Sequence, residues 1–73
     1  MTNYMIFDKE TRRYTRSQPY TFASEALTVI EFEFDECCWN TLELHEFKFE
    51  EGEQTEIKVF SVEVKTIHKP GVA

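Results

Sequence analysis

The chain has few of the residues that small domains use for disulfide or metal crosslinks and for catalytic loops. It has only two glycines and two histidines in 73 residues, and its two cysteines, Cys37 and Cys38, are adjacent. Adjacent cysteines cannot close a loop with each other, and they do not match the C-x-x-C spacing of redox or zinc sites. No P-loop, G-x-G-x-x-G or G-x-S-x-G motif is present. We therefore expect reduced thiols, no cofactor and no enzymatic activity.

Long apolar runs are absent as well. No run approaches the roughly 18 to 20 residues of a membrane span, and the first residues lack a basic segment followed by an apolar one. We expect a cytoplasmic protein without a membrane partner. An apolar content of 41% nonetheless predicts a folded chain. Because so short a chain builds only a small core, stabilisation by a second copy, as a homodimer, is a further expectation.

Charge is distributed unevenly along the chain. Residues 1–20 carry a net charge of +2, residues 21–56 carry eleven acids against one lysine, a net charge of −10, and residues 57–73 return to +2. The acidic middle disfavours direct binding of nucleic acid, because such binding depends on neutralising phosphates. We expect a single domain over residues 1–67 and a flexible tail over 68–73, where Pro70 and Gly71 end any strand.

The clearest predicted element is a hairpin in the C-terminal half. Two β-rich runs flank the turn signal around Gly52. If facing residues have numbers that sum to 104, Glu46 faces Lys58 and Lys48 faces Glu56, which are favourable cross-strand pairs. A register displaced by one residue would break every such pair, so the sequence predicts this one.

Apolar side chains change faces halfway along this hairpin. Near the open end they have even numbers, as in Leu44 and Phe60, and near the turn they have odd numbers, as in Phe47 and Ile57. Two explanations are open. A bulge or strong coil near His45 and Val59 could turn the whole set toward a single core. Alternatively, the odd-numbered patch packs on a second surface, supplied by the N-terminal hairpin or by another chain.

The N-terminal half contains a second hairpin and one ambiguous segment. Residues 4–7 read as a strand, 8–11 as a polar turn and 14–16 as a returning strand. Residues 24–35 fit a helix with Ser24 as N-cap and a buried stripe at Ala23, Ala26, Leu27, Ile30 and Phe34. The same residues also fit a strand, because residues 30–34 alternate. The helix gives an α+β fold, an antiparallel four-stranded sheet with one covering helix in ββαββ order; the alternative is an all-β antiparallel meander.

A metal site can be drawn from His45, one carboxylate and Cys37 or Cys38, but only the residue types support it, without ligand spacing. A metal-dependent enzyme is therefore the weakest of three functional hypotheses. The abundance of carboxylates likewise weakens any one pair as a catalytic dyad.

The leading hypothesis is a small acidic protein-binding module that is not an enzyme and that docks on a partner protein with a basic surface. The runner-up is a nucleic-acid mimic whose carboxylates block a DNA- or RNA-binding groove. Candidate apolar contacts to the partner are Phe32, Trp39, Phe47, Phe49, Ile57 and Val59. Candidate acidic contacts are Glu31, Glu33, Asp35, Glu36, Glu43, Glu50, Glu51 and Glu53.

The N-terminal strand, its Asp-Lys-Glu-Thr turn at residues 8–11, the following Phe-Ala-Ser-Glu-Ala-Leu at 22–27 and the strand led by Trp39 resemble small accessory proteins of bacteriophages and prophages. The resemblance implies a non-enzymatic protein that binds a host or phage enzyme. Some such proteins are acidic inhibitors of nucleic-acid-handling machinery, anti-CRISPR proteins among them, so the resemblance also implies an inhibitor of a host protein. It assigns no role to any single residue of this chain.

Overall fold

A computed structural model of the chain describes residues 1–63, and the predicted tail at 68–73 and the domain boundary at 67 lie outside the described residues. The elements are β1 (Thr2–Asp8), β2 (Arg13–Tyr14), α1 (Ala23–Glu33), a 3-10 helix (Glu36–Thr41), β3 (Leu42–Glu50) and β4 (Glu53–Ser61). The predicted ββαββ order is confirmed, and residues 24–33 are helical rather than extended.

The four strands form one sheet in the order β2-β1-β3-β4, and every neighbouring pair is antiparallel. The fold is therefore α+β, as predicted. The central strands β1 and β3 pair over their length, from Thr2 opposite Lys48 to Asp8 opposite Leu42. Tyr4 also makes an isolated bridge with Tyr20, which returns the chain to the sheet before α1.

The β3–β4 hairpin has the predicted register over most of its length. Glu46 lies opposite Lys58 and Lys48 lies opposite Glu56, so the residue numbers in each pair sum to 104 as predicted. The two-residue turn of Glu51 and Gly52, whose φ angles of 52° and 83° are both positive, imposes a different sum, because Glu50 then faces Glu53. One extra residue in β4, at Thr55, reconciles the two registers as a β-bulge.

The two faces of the sheet differ because the elements described within residues 1–63 cover only one of them. The even-numbered Ile6, Leu42 and Leu44 are buried and join Ala26 and Ile30 of α1 in the core. The odd-numbered side chains point to the other side. We call this side the open face, and it consists of Asn3, Met5, Phe7, Tyr14, Glu43, His45, Phe47, Phe49, Ile57 and Val59, none of which is buried.

The position of the odd-numbered side chains on the open face distinguishes between the two explanations of why apolar side chains change faces along the hairpin. The four odd-numbered hairpin side chains stay out of the core cluster, so the explanation that a bulge turns the whole set into a single core is wrong. The bulge itself lies nearer the turn, next to Lys48 and Phe49, than the predicted position at His45 and Val59. The N-terminal hairpin extends the odd-numbered patch sideways, within the same sheet, by adding Phe7 and Tyr14.

Helix α1 packs on the sheet through the predicted stripe. Ala26 and Ile30 are 0% exposed, and Leu27 and Phe34 are partly buried against the core. The helix begins two residues earlier than a Ser24 N-cap would place it. Phe22 is the N-cap, and its backbone N–H donates to Glu25 Oε1 at 3.1 Å. A carboxylate in the first turn also favours the positive end of the helix dipole.

Trp39 joins the end of α1 to the sheet. Its side chain is 4% exposed, and its indole N–H donates to the carbonyl oxygens of Ile30 at 3.2 Å and Phe34 at 3.1 Å. Phe34 is the C-cap residue, whose carbonyl lies beyond the last intrahelical hydrogen bond, and the Ile30 carbonyl also accepts from the Phe34 backbone N–H at 3.2 Å. Trp39 therefore caps the helix from the 3-10 segment and does not present a surface to a partner, which corrects its expected role as a binding anchor.

We expect Trp39→Phe to destabilise the chain by about 1–3 kcal/mol, because it removes the donor and leaves the Phe34 carbonyl without this bond. Urea unfolding followed by far-UV circular dichroism measures the change without relying on tryptophan fluorescence. Phe32→Leu, at a side chain that is 78% exposed, is the matched control and should leave the midpoint unchanged. Equal midpoints for both variants would contradict the capping role.

We also expect Glu51→Asn to stabilise the hairpin by about 0.5–1 kcal/mol, because asparagine tolerates a positive φ better than glutamate does. Glu51→Gln removes the same charge without that conformational benefit and should leave stability nearly unchanged. Thermal unfolding of the two variants separates backbone strain from charge. A larger gain in the glutamine variant would assign the effect to charge repulsion instead.

Candidate interaction surface

The open face is a continuous aromatic and aliphatic surface on the uncovered side of the sheet. Ile57 and Val59 in β4 are 48% and 54% exposed, and Tyr14 in β2 is 38% exposed. Between them lie partly buried side chains of β1 and β3, among them Phe7 and Phe47. The Cα atoms span 38 × 31 × 16 Å, a thickness that accommodates the sheet and one helical layer.

A hydrogen-bonded network lies within the open face. Tyr14 Oη and His45 Nδ1 are 3.0 Å apart, and His45 Nε2 is 3.0 Å from Glu43 Oε1. The imidazole of His45 stacks on the Phe7 ring with centroids 5.0 Å apart, and the Tyr14 ring meets both of these rings edge-on. Phe47 lies 6.0 Å from the Tyr14 centroid. The network therefore fixes a rigid ring cluster across β2, β1 and β3.

Tyr14 and His45 are the polar centre of this network. Burial and, to a smaller degree, the Glu43 charge raise the pKa of Tyr14 above its ordinary value. The phenol keeps its proton at neutral pH, so Tyr14 donates to His45 Nδ1 when that nitrogen carries no proton, and Nε2 then donates to Glu43. A protonated phenol is a weak nucleophile, so the side chain acts as an oriented ring and hydrogen-bond donor.

Two shallow grooves border the ring cluster toward the hairpin tip. One, of about 310 Å³, is lined by Tyr14, Phe47 and Phe49 together with Met5, Asn3, Pro19 and Gln54. The other, of about 380 Å³, lies between Met1, Asn3, Phe49, Glu51 and Gly52. Both are open to solvent rather than enclosed. Such grooves suit the protruding side chains of a protein better than an enclosed small molecule.

The candidate apolar contacts are divided by the fold. Phe47, Phe49, Ile57 and Val59 share the open face. Phe32 is exposed on α1, away from the sheet, as the helical interpretation predicts. The structure therefore brings together four of the six predicted apolar contacts, leaves Phe32 on another surface and buries Trp39 in the core.

The candidate acidic contacts form two separate groups. One lies at the end of α1 and the start of the 3-10 helix, at Glu31, Glu33, Asp35 and Glu36, and the other lies at the hairpin tip, at Glu50, Glu51 and Glu53. Along the chain, the first group precedes β3 and the second begins at its last residue, Glu50. The strand itself spans roughly 27 Å at about 3.4 Å per residue. Glu43 alone lies on the open face, bound to His45.

Cys37 and Cys38 are exposed free thiols whose sulfur atoms lie 3.8 Å apart. The hydrogen bond with Cys37 and the charge of that thiol, followed by smaller contributions from desolvation and from Asp35 and Glu10, raise the pKa of Cys38. Within residues 1–63, no group of three or more histidine, cysteine or carboxylate side chains could hold a metal ion. The drawn site of His45, a carboxylate and a cysteine is therefore not assembled in that range.

Reasoning from the sequence missed the part of the open face that β1 and β2 contribute. Phe7, Tyr14 and His45 meet only because β1 pairs with β3, a contact between residues about forty positions apart. The alternation of Asn3, Met5 and Phe7 with Tyr4 and Ile6 was the available signal, since it marks β1 as a strand with two apolar faces.

No family model, curated protein or solved structure matches the chain. The resemblance to phage accessory proteins therefore stays a prediction. Among residues 1–63, no helix combines the length and the apolar character that crossing a membrane requires.

We expect the free energy of unfolding to fall as pH rises past about 10. The pKa of Tyr14 is raised, and burial together with the hydrogen bond to Glu46 raises that of Tyr4. Because the folded pKa values lie above the unfolded ones, the stability they contribute is complete below pH about 10 and is lost above it. Urea titrations of wild type, Tyr4→Phe, Tyr14→Phe and the double variant measure this loss. An alkaline slope unchanged in the double variant would contradict it.

Proposed function

We propose that the chain is a non-enzymatic protein-binding module that docks a partner protein on its open face. The observation that carries the proposal is the ring cluster of Phe7, Tyr14, His45 and Phe47, continued by exposed Ile57 and Val59, on a face that no described element covers. Contiguous exposed apolar surfaces on small proteins mark interaction sites. Aromatic side chains are also the groups that contribute most to protein interfaces.

The charges around the open face specify the partner's chemistry. Glu43 is the one carboxylate of the open face, and it is already bound to His45. The acids of the hairpin tip lie beside the face, at the end of β3 and the start of β4, within a chain of net charge −6. The complementary partner has an apolar patch bordered by lysine or arginine. Its charges would speed association and reject acidic competitors.

Nucleic-acid mimicry has less support from the geometry. Mimicry needs a row of carboxylates spaced like phosphates, whereas one group of acids precedes β3 along the chain and the other lies at the far end of that strand. On the face of the hairpin where a row could form, Lys48 and Lys58 stand among the acids, and Lys48 Nζ lies 3.7 Å from Glu56 Oε2. These lysines interrupt any continuous imitation of a phosphate backbone.

The experiment places a photo-crosslinking amino acid at position 59, on the open face, and in a second protein at position 32, on α1. In lysate of the native host, we expect position 59 to join the chain to a partner that position 32 does not reach. An excess of unlabelled protein should compete, whereas Ile57→Lys/Val59→Lys should not. Thr28→Lys, at an exposed helical residue, is the matched control and should still compete.

Salt supplies an independent arm of this experiment. At about 1 M NaCl the Debye length is about 3 Å, so the crosslinked yield should fall if basic residues border the partner's patch. Crosslinking from position 32 but not from 59 would move the site to α1 and overturn the proposal. Crosslinking from 59 to a second copy alone would overturn the assignment of a different partner protein.

A further inference from the structure

In the described part of the chain, no strand pairs with the outer edge of β4 over Thr55–Val59. Strand β4 pairs there with β3 alone, and all nine of its residues, Glu53–Ser61, are exposed. Unpaired backbone groups along an edge strand are a template for another strand. Natural proteins often block such edges with a lysine or a bulge, and β4 has both, at Lys58 and Thr55.

We propose that β4 pairs with β4 of a second copy, antiparallel about Ile57, so that two sheets join edge to edge into one. The proposal goes beyond the docking of a partner on the open face, because it assigns a different surface, the strand edge, to a different occupant. The junction is short, since the bulge at Thr55 limits regular pairing to about Thr55–Val59 of each strand, so we expect a weak dimer.

The charges of β4 select this register. A two-fold axis perpendicular to the sheet keeps each face on its own side, so facing residues must both be even-numbered or both odd-numbered. Centring on Ile57 places Glu56 of each copy opposite Lys58 of the other. Centring one residue away in either direction places Glu56 opposite Glu56 of the other copy, or Lys58 opposite Lys58. Repulsion between like charges disfavours both registers.

The same register continues both faces of the existing hairpin. On the covered side of the sheet, the pairs Lys48–Glu56 and Glu46–Lys58 within each copy become one row of alternating charge across four strands. On the open face, Phe47 lies opposite Ile57 within each copy, and Ile57 then meets Ile57 of the second copy. Lys58 thus helps to determine the pairing instead of blocking it, and the two open faces become one surface.

A charge exchange tests the junction in the full chain. Sedimentation equilibrium over a range of micromolar concentrations should show a monomer–dimer equilibrium for the wild type. Glu56→Lys and Lys58→Glu should each raise the dimer dissociation constant by about tenfold or more, because each opposes like charges at both symmetric pairs. An equimolar mixture of the two variants should dimerise again, since every pair then regains opposite charges. Far-UV circular dichroism confirms that each variant is folded.

Matched controls change the same charges elsewhere. Glu36→Lys and Lys9→Glu, both at exposed positions, should dimerise like the wild type. A wild type that is monomeric throughout would overturn the proposal. So would a mixture of the two β4 variants that stays monomeric, or a loss of dimer in the controls equal to that in the β4 variants.

A cysteine at position 57 tests the register independently of charge. Facing Cα atoms in an antiparallel pair lie about 4.5–5.5 Å apart, within the range that a disulfide spans. In a Cys37→Ser/Cys38→Ser background, Ile57→Cys should form a covalent dimer on mild oxidation much faster than Val59→Cys, which the register places opposite Thr55. Equal rates, or faster crosslinking at 59, would overturn the register.

Discussion

Within residues 1–63, one α-helix of eleven residues covers a sheet of four strands, and it can cover only one face of that sheet. The rest of the structure depends on this constraint. Ala26 and Ile30 pack on one side with Ile6, Leu42 and Leu44, and Trp39 holds the end of the helix in place from the 3-10 segment. The other side keeps its aromatic rings at the surface, arranged by strand pairing and by the bonds of His45.

The hairpin could be predicted because its register is encoded locally. The pairs Glu46–Lys58 and Lys48–Glu56 are close in sequence and distinguish one register from its neighbours. The position of the bulge depends on a second local feature, the turn, which the pattern of charged pairs does not contain. A two-residue turn at Glu51 and Gly52 fixes its own register, and the conflict between turn and strands requires one extra residue between them. The helix was predictable for a similar reason, since its buried stripe follows a local period.

The ring cluster could be predicted only in part because it depends on long-range pairing. Phe47, Phe49, Ile57 and Val59 were recognisable as a displaced patch within one hairpin. Their continuation through Phe7, Tyr14 and His45 requires the register between β1 and β3, which no local pattern in either strand determines. Trp39 shows the opposite error, since it was expected to contact a partner as an aromatic anchor, while its indole completes the core. The 3-10 segment, which turns Trp39 inward, has no hydrophobic period of its own.

The acidic charge and the open face together restrict what can bind. An uncovered apolar surface would drive unspecific association between copies, but two chains of net charge −6 repel each other when their faces approach. A partner bordered by lysine or arginine meets no such barrier. At the β4 edge, by contrast, Glu56 and Lys58 lie two residues apart, so contact between copies is locally attractive in one register. Charge thus opposes contact between copies through the open face and permits it along one strand edge, which leaves the aromatic surface free for a partner of opposite charge.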